Sequence, residues 1–435
     1  MPKKLPLLSM LVLLGLFTSS HLAAAATYYV DNSGSPACSN SPANGSQGAP
    51  WCTVQYGVSR LRGGDTLYVK NGTYNEAFSI KTAAGTPGAH TLISAYPGHA
   101  PILRSSGYDG GRIKIAATSY LDFVGFTITN YNQGLYIDND ADTDASAHHI
   151  TVTDVVVHDV GQEGIAIRGN VFNITLNRVT VYNTGRLGTG LNGEGIYVGG
   201  GVSPDNTNTV TIQNSTIHDT QDEGIELKPD THDCIIENTT LYNIMSGSSY
   251  SNGGGAIEID EPRTYTSNPN HLVRNNVIHD LVYNASWTKR GIRIGTGATV
   301  YNNVLYNIAS PYAAILSNSA SPGNWPRLVY HNTVDAASST GIVNSGTNLD
   351  SRNNIGPSTT NNSAVSSDFF VNRAGHDYRL VPGAAVVNVG VDLRSTVPLD
   401  IAGATRDVSP DRGAYEYQRR DGSAPAAPTN LRVVR

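Results

Sequence analysis

One short segment of the 435-residue chain, DEGIELKPDTHD at positions 222–233, concentrates ionisable side chains. It holds five carboxylates, one lysine and one histidine, whereas only 15% of the whole chain is charged. A lysine among carboxylates offers groups that can accept or donate a proton, and clustered carboxylate oxygens are the ligands that Ca²⁺ prefers. The segment is therefore either a charged turn that keeps a surface soluble or the reactive part of an enzyme.

A repeated phrase places this segment on a strand of a repeating fold. QGLYID (133–138), EGIAIR (163–168), EGIYVG (194–199), EGIELK (223–228), GAIEID (255–260) and RGIRIG (290–295) recur about 30 residues apart. Phrases between them, such as VTIQNSTIHDT, alternate apolar and polar residues with the period of a β-strand. One repeat cannot bury its own apolar face, so we predict an all-β, right-handed parallel β-helix with about 30 residues per coil. An antiparallel sandwich or a propeller is the alternative, although the period is short for a four-stranded blade.

The chain is divided into four segments by composition and by the repeat. Two lysines, an apolar run and an Ala-x-Ala ending are typical of a secretory signal peptide, so we expect a secreted, extracellular or periplasmic protein. The stretch TVQYGVSRLR (53–62) is expected to form an amphipathic helix that caps the first coil, because an open coil end exposes unpaired strands. The predicted segments are a signal peptide (1–26), an N-terminal cap with the first coils (27–100), the parallel β-helix (101–420) and a Pro/Ala-rich, linker-like tail (421–435).

Cysteine content and net charge limit the possible partners. Cys38 and Cys52 flank a Gly/Ser/Asn-rich loop and are expected to form a disulfide, and Cys234 is expected to be a small core residue. The net charge of -6 gives no reason to expect nucleic acid as a partner. No segment after the leader is apolar for long enough to cross a bilayer. We expect a monomer that binds a polysaccharide.

Strand parity arranges the charged residues in outward columns. If Ile225 and Leu227 point inward, Glu226 and Lys228 must point outward. Neighbouring coils lie about 4.8 Å apart, so stacked carboxylates repel one another, which raises a pKa or requires a cation. One predicted column contains Tyr197, Glu226, Glu258 and Arg293. The second contains Arg168, Gly199, Lys228, Asp260 and Gly295.

Such an arrangement suits β-elimination of a uronate, in which the substrate carboxylate is neutralised and a base removes the adjacent proton. Carboxylate neighbours would keep Lys228 protonated unless a bound cation offsets them. The predicted roles follow. The catalytic residues are Lys228 as base, with Arg293, Glu226 and Glu258; the substrate-binding residues are Tyr197, Arg168, Arg290 and His232; the possible Ca²⁺ ligands are Glu223, Glu226, Glu258 and Asp260.

Two groups of phrases resemble a known family. YYVDNSGS, PWCTVQYGVSRLRGGDTLYVKNGTYNE and LISAYPGHAPIL resemble the opening of bacterial secreted β-helix proteins, many of them polysaccharide lyases. QDEGIELKPDTHDCIIENTTLYNI, followed by RGIRIGTGATVYNN, is similar to the alginate lyase and chondroitinase B family. The resemblance implies that Glu223 is the second glutamate of a calcium-binding Glu-x-Glu pair and that Lys228 is the base. Gln221 stands at the first glutamate position, and Asp260 stands at or near the family's arginine.

Three functions remain open from the sequence. The first is a secreted lyase that cleaves an acidic polysaccharide by β-elimination. The second is a glycoside hydrolase that uses Glu226 and Glu258 as its carboxylate pair. The third is a non-catalytic solenoid that binds glycans or acts as a spacer, in which the charged columns only keep the sheet soluble.

Overall fold

Three long parallel sheets form the structure, and each coil of the chain passes through all three in turn. The computed structural model describes residues 24–418 except for short segments (82–83, 109, 140–146, 188–192, 201–204, 246–253, 262, 264–266, 282–289, 309–312, 318–324, 337–339, 345–347 and 358–361). The predicted right-handed parallel β-helix is confirmed, with coils of about 30 residues. Most of the predicted leader and all of the predicted tail lie outside the described residues.

The strands are numbered along the chain, and each sheet takes one strand from each coil. Sheet 1 contains β1 (Thr27–Val30), β2 (Thr66–Val69), β5 (Thr91–Ala95), β8 (Ser119–Val124), β11 (His148–Thr153), β14 (Phe172–Asn177), β17 (Asn208–Gln213), β20 (Ile235–Glu237), β23 (His271–Arg274), β26 (Ala298–Tyr301), β29 (Arg327–Tyr330) and β32 (Leu349–Arg352). Sheet 2 contains β3 (Thr73–Asn75), β6 (Ile102–Arg104), β9 (Thr127–Thr129), β12 (Val156–His158), β15 (Thr180–Tyr182), β18 (Thr216–His218), β21 (Thr240–Tyr242), β24 (Val277–Leu281), β27 (Val304–Ile308) and β30 (Thr333–Asp335). Sheet 3 contains β4 (Phe78–Ile80), β7 (Ile113–Ala116), β10 (Leu135–Asp138), β13 (Ile165–Ile167), β16 (Ile196–Val198), β19 (Ile225–Leu227), β22 (Gly255–Ile259), β25 (Arg290–Ile294), β28 (Ile315–Ser317) and β31 (Ile342–Asn344).

A short helix, α1 (Val54–Val58), lies beside the first coil. It falls within the predicted helix 53–62 and is shorter than predicted. The side chain of Thr53 accepts a hydrogen bond from the N–H of Tyr56, and the Glu76 carboxylate accepts bonds from the first N–H groups of the helix. These acceptors satisfy N–H groups that have no partner within the helix. No helix among the described residues has the length and hydropathy to cross a bilayer.

The expected disulfide between Cys38 and Cys52 is present, and Cys234 is buried as predicted. The parallel pairing of named strands ends with β32. Two 3₁₀ turns (Ser367–Phe369 and Arg373–Gly375) and an antiparallel pair, β33 (Phe370–Asn372) and β34 (Asp377–Leu380), follow it. The predicted β-helical span 101–420 therefore includes a C-terminal part without regular coils.

Alternation of side chains explains why the coils pack as they do. In β11, β14 and β17 the third and fifth residues are buried and the residues beside them are not, and the buried set consists of Val, Ile and Leu. The chain turns between sheets at residues with left-handed backbone, which Asn and Asp adopt at low cost. Asn238 and Asn275, for example, have φ of 50° and 57°.

A ladder of buried amides runs through the C-terminal coils, at the turn between sheets 1 and 2. The side-chain oxygens of Asn303, Asn332 and Asn354 each accept bonds from both the main-chain N–H and the side-chain amide of the asparagine one coil before, at 2.8–3.0 Å. Asn362, eight residues after Asn354, accepts the same two bonds from Asn354 and ends the ladder. In the preceding coils Ser215 and Thr239 occupy this place. The amide ladder consists of Asn276, Asn303, Asn332, Asn354 and Asn362.

The outer face of sheet 2 carries a column of stacked aromatic rings. Successive ring centroids lie 4.1–5.1 Å apart, and the planes are within 17° of parallel. Parallel pairing in register places one ring above the next. The ring column consists of His158, Tyr182, His218, Tyr242, His279 and Tyr306, and it ends on His376, which follows the second 3₁₀ turn and is not part of sheet 2.

Candidate functional site

The outer face of sheet 3 carries the first predicted column. Tyr197 pairs with Glu226, Glu226 with Glu258, and Glu258 with Arg293 in the parallel register. The predicted register of this column is confirmed. The second column follows the ends of the same strands, where the N–H groups of Gly199, Lys228 and Asp260 bond to the carbonyl groups of the coil before.

Lys228 lies at the centre of the candidate site. Its Nζ is 2.7 Å from Glu226 Oε1, 3.1 Å from Asp260 Oδ2 and 5.5 Å from the centroid of the Tyr197 ring. Gly199, one coil before, has a φ of +90°, and a Cβ there would lie 3.2 Å from Lys228 Cβ. A glycine therefore provides both the left-handed turn and the space in which Lys228 lies.

Three buried glutamates form an acidic cluster beside Lys228. Glu194, Glu223 and Glu226 each offer an oxygen that lies within 4.8 Å of the other two. Glu194 and Glu223 occupy equivalent positions in successive coils, because the N–H of Gly195 bonds to the carbonyl of Glu223. Within the described part of the chain, Glu194 Oε2 is buried and accepts no hydrogen bond, although the residue is only 5% exposed.

Burial and like charges shift the pKa values in this cluster. Burial, followed by repulsion from neighbouring carboxylates, raises the pKa values of Glu194 and Glu223 well above the usual range. Burial also raises the pKa of Glu226 to about 7, although Lys228 opposes that shift. Burial lowers the pKa of Lys228, but Glu226 and Asp260 outweigh it and raise this pKa above its usual value. Lys228 is thus held in its protonated form by its carboxylate neighbours.

Glu258 and Asp260 are neutralised by protein cations. Glu258 bonds to Arg293 and accepts a bond of 2.9 Å from the N–H of Gly255, and only 2% of the residue is exposed. Asp260 lies between Lys228 and Arg293, with Asp260 Oδ1 3.5 Å from Arg293 Nη1. Of the four predicted Ca²⁺ ligands, the structure thus brings Glu223 and Glu226 together with Glu194, whereas Glu258 and Asp260 face basic side chains.

The three remaining predicted residues, Arg168, Arg290 and His232, lie in different parts of the coils. The guanidinium of Arg168 is 4.2 Å from the Tyr197 ring centroid and pairs with Glu163, so it borders the site. Arg290 begins β25, in register with Gly255. His232 lies shortly before β20 of sheet 1, and its ring nitrogens bond to Asp233 at 2.7 Å and to Asn206 at 2.9 Å.

The sequence reasoning missed Glu194, although a signal for it was present. The phrases EGIAIR, EGIYVG and EGIELK align Glu163, Glu194 and Glu223 in three successive coils. Glu163 is neutralised by Arg168 and bonded by Gln133, whereas Glu194 has no ion pair among the described residues. Gln221 instead lies against Gly185 and Gly193, so closely that a Cβ atom on either glycine would collide with its side chain. The partner of Glu223 is therefore in the neighbouring coil.

The acidic cluster fits a hard divalent cation. Three carboxylates from two coils provide oxygen ligands, which are the ligands that Ca²⁺ takes. The oxygen of Glu194 without a hydrogen bond lacks the partner that a buried polar atom normally has. Two ionised carboxylates this close repel each other, and a cation would offset that repulsion.

Comparisons with known proteins support the fold. The family profile described as "Right handed beta helix region" matches residues 112–263. The solved alginate lyase from Paenibacillus sp. str. FPU-7 is similar at 19% identity, with a TM-score of 0.55, over 78% of this chain and 99% of the lyase. The pectate lyase Pel9A is similar at 18% identity, with a TM-score of 0.62, over 90% of this chain and 96% of that protein. No curated protein sequence matches the chain. The chain is a right-handed parallel β-helix protein, and polysaccharide lyases of known structure share this fold.

Proposed function

We propose that the protein is a secreted polysaccharide lyase that cleaves a uronate-containing polymer by β-elimination. The observation that carries this proposal is Lys228, whose Nζ lies on the outer face of sheet 3 between Glu226 and Asp260 and beside the Tyr197 ring. A base, an acid and cations for a substrate carboxylate are thus present in one place.

In the proposed reaction, Lys228 in its neutral form takes the proton next to the uronate carboxylate. The bond to the glycosidic oxygen breaks, a C=C double bond forms in the sugar ring, and the leaving oxygen receives a proton from Tyr197. Burial raises the pKa of Tyr197 to about 12, so its phenol is protonated and can donate at neutral pH. The proton on Lys228 then returns to the tyrosine, which restores both groups.

Positive charge must neutralise the uronate carboxylate before its neighbouring proton becomes acidic. Arg293 lies one coil beyond Glu258, and Arg168 lies against Tyr197, so the two guanidinium groups flank Lys228. Ca²⁺ bound by Glu194, Glu223 and Glu226 would supply further positive charge and would favour the neutral form of Lys228.

The hydrolase alternative receives less support from the same geometry. A glycosidase needs two accessible carboxyl groups, one on each side of the bond that breaks. Glu258 is 2% exposed and is bonded to Arg293 and to a main-chain N–H group, so it is poorly placed to exchange a proton with a sugar.

The test is the ultraviolet absorbance of the new double bond. The purified protein is incubated with alginate, pectate, chondroitin and related polyuronates, with and without Ca²⁺. We expect one polymer to give a rise that falls about 10²–10⁴-fold in Lys228→Ala and in Tyr197→Phe. Lys70→Ala is the matched control. Lys70 also pairs with a carboxylate, Asp31, at 3.0 Å, but it lies in the first coils, outside the candidate site.

Two other outcomes would refute the lyase proposal and favour another function. New reducing ends without a rise in absorbance would indicate a hydrolase. Binding of a polysaccharide without any cleavage would indicate a glycan-binding solenoid.

A further inference from the structure

A second group of basic residues lies on sheet 3, in the coils that precede the candidate site. Three cations converge on the ring of Tyr136. The Arg112 Cζ atom is 4.5 Å from the ring centroid, the Arg168 Cζ atom is 5.6 Å away, and the Lys114 Nζ atom is 6.0 Å away. Only 9% of Tyr136 is exposed, so the cations form the outer surface above the ring.

The carboxylates around Tyr136 do not balance these cations. Lys114 pairs with Asp138 at 3.3 Å, and Arg168 pairs with Glu163. Arg112 is half-buried and has no ion pair with any residue in the described part of the chain. Like charges held this close repel one another, and a bound anion would offset the repulsion.

The register connects this group to the candidate site. Tyr136 pairs with Ala166, and Ala166 pairs with Tyr197, so the two tyrosines are two coils, or about 10 Å, apart. Ala166 has a small side chain, and the Arg168 guanidinium occupies the space between the rings, within 5.6 Å of both centroids. A continuous strip of cations on tyrosine rings thus extends from Arg112 to Lys228.

Among the described residues, the opposite side of the site has no such strip. Beyond Arg293, the register continues to Leu316 and then to Val343, which carry no charge. An extended polyanion that lies along sheet 3 would therefore meet a strip of cations on the N-terminal side of Lys228, whereas on the C-terminal side it would meet uncharged residues in this column beyond Arg293.

We propose that Arg112, Lys114 and Arg168 form a second carboxylate-binding subsite for the same polymer. This inference rests on the proposed function, since it assumes a uronate chain whose reacting residue lies at Lys228. The chain then extends toward the N-terminal coils, and a uronate at some distance from the scissile bond lies above Tyr136. The protein therefore requires acidic sugars on one side of that bond and tolerates neutral sugars on the other.

The experiment measures binding separately from turnover. Full-length Lys228→Ala protein is titrated by calorimetry with polyuronates from the same panel and with the disaccharides derived from them. Adding Arg112→Gln is expected to weaken binding of the polymer about tenfold and to reduce its salt dependence. Disaccharide binding is expected to stay unchanged, because a disaccharide at Lys228 does not reach Tyr136.

Arg178→Gln is the matched control, because it removes an exposed arginine that pairs with Asp154 away from sheet 3. It should leave the affinity for the polymer unchanged. Thermal unfolding of each variant checks that the fold is retained. In the protein with Lys228 intact, Arg112→Gln should raise KM and leave kcat unchanged, the pattern of a contact made equally in the ground and transition states.

The outcomes separate this inference from the proposed function. Equal affinity of the Arg112→Gln and parent proteins for every polyuronate, or no binding of any polyuronate, overturns the subsite. Elimination activity with an unchanged KM in Arg112→Gln overturns the subsite and leaves the lyase proposal standing. Arg112-dependent binding without elimination retains the subsite and refutes the lyase proposal.

Discussion

Replacing Glu194 by glutamine tests the acidic cluster through the stability of the protein. Oxygens of Glu194, Glu223 and Glu226 lie within 4.8 Å of one another. Two ionised carboxylates at that distance repel each other by about 3 kcal/mol when the effective dielectric constant is about 20. Glu194 faces two such neighbours, so its charge destabilises the metal-free fold. Glu194→Gln keeps the shape of the side chain and removes that charge.

We therefore expect opposite effects with and without a cation. In the presence of a chelator, the midpoint of thermal unfolding of Glu194→Gln should equal or exceed that of the unmodified protein. With Ca²⁺ at about 100 times its Kd, the unmodified protein should gain about 2.7 kcal/mol of unfolding free energy, and the variant should gain much less. The measurement is circular dichroism during heating, with chelator or with CaCl₂.

The matched control is Glu237→Gln on sheet 1. Glu237 pairs with Arg274 at 2.6 Å, so this variant loses an ion pair but should keep the full response to Ca²⁺. An equal Ca²⁺ response of Glu194→Gln and the unmodified protein would refute the assignment of the cation to this cluster. A lower midpoint of Glu194→Gln in chelator would refute the argument from charge repulsion.

Three further predictions concern the fold. The ring of Tyr242 stacks on two other rings at centroid distances of 4.6 and 5.1 Å. Tyr242→Ala should therefore lower the unfolding free energy by about 1–3 kcal/mol, whereas Tyr242→Phe should leave it nearly unchanged. Chemical denaturation measures both variants. Gly195→Ala should cost about 1–3 kcal/mol in the same assay, since its Cβ would lie 2.5 Å from a methyl group of Ile217, whereas Gly48→Ala, with open space around it, should cost little. Burial lowers the pKa of His271 from 6.5 to about 4, so between those pH values the unfolded chain binds a proton that the folded chain does not. The unfolding free energy should therefore fall by about 3 kcal/mol as the pH falls from 6.5 to about 4. His271→Asn should remove that part of the pH dependence, which chemical denaturation at several pH values measures.

The sequence predicted the coils and one column of the site because both depend on periodicity. Each repeated phrase places one small residue and two inward apolar residues at fixed spacing, so the register of Tyr197, Glu226 and Glu258 follows from alignment alone. Strand parity then determines which side chains face outward. These inferences require no knowledge of side-chain contacts.

The acidic cluster could not be predicted in the same way. Glu194 and Glu223 precede their strands, and at a turn the side-chain direction depends on the local backbone rather than on parity. The pairing of Glu258 with Arg293 depends on which of several neighbouring carboxylates the guanidinium reaches. That choice is determined by three-dimensional packing, which an alignment of phrases does not contain.

The C-terminal part was also beyond periodic reasoning. After β32 the chain has no repeat, and its packing depends on single long-range contacts. Arg406 is buried and bonds to Glu416 and to Asn302, a residue 104 positions earlier in the chain. No local pattern in the sequence identifies such a partner.

The amide ladder has a consequence for the mechanical behaviour of the solenoid. A strand that slips by two residues regains its apolar contacts, but it loses the hydrogen bonds of its asparagine to both neighbouring coils. The coils from Asn276 onward are therefore locked in one register and are joined more stiffly than the coils before Ser215, where Val179 occupies the equivalent place. Because each coil contacts only its neighbours, the chain should unravel from the N-terminal coils and meet increasing resistance toward the ladder. Lys228 follows β19 in the coil that contains Ser215, and the next coil contains Thr239. The candidate site therefore lies where the less stiff part of the solenoid meets the part that the ladder stiffens.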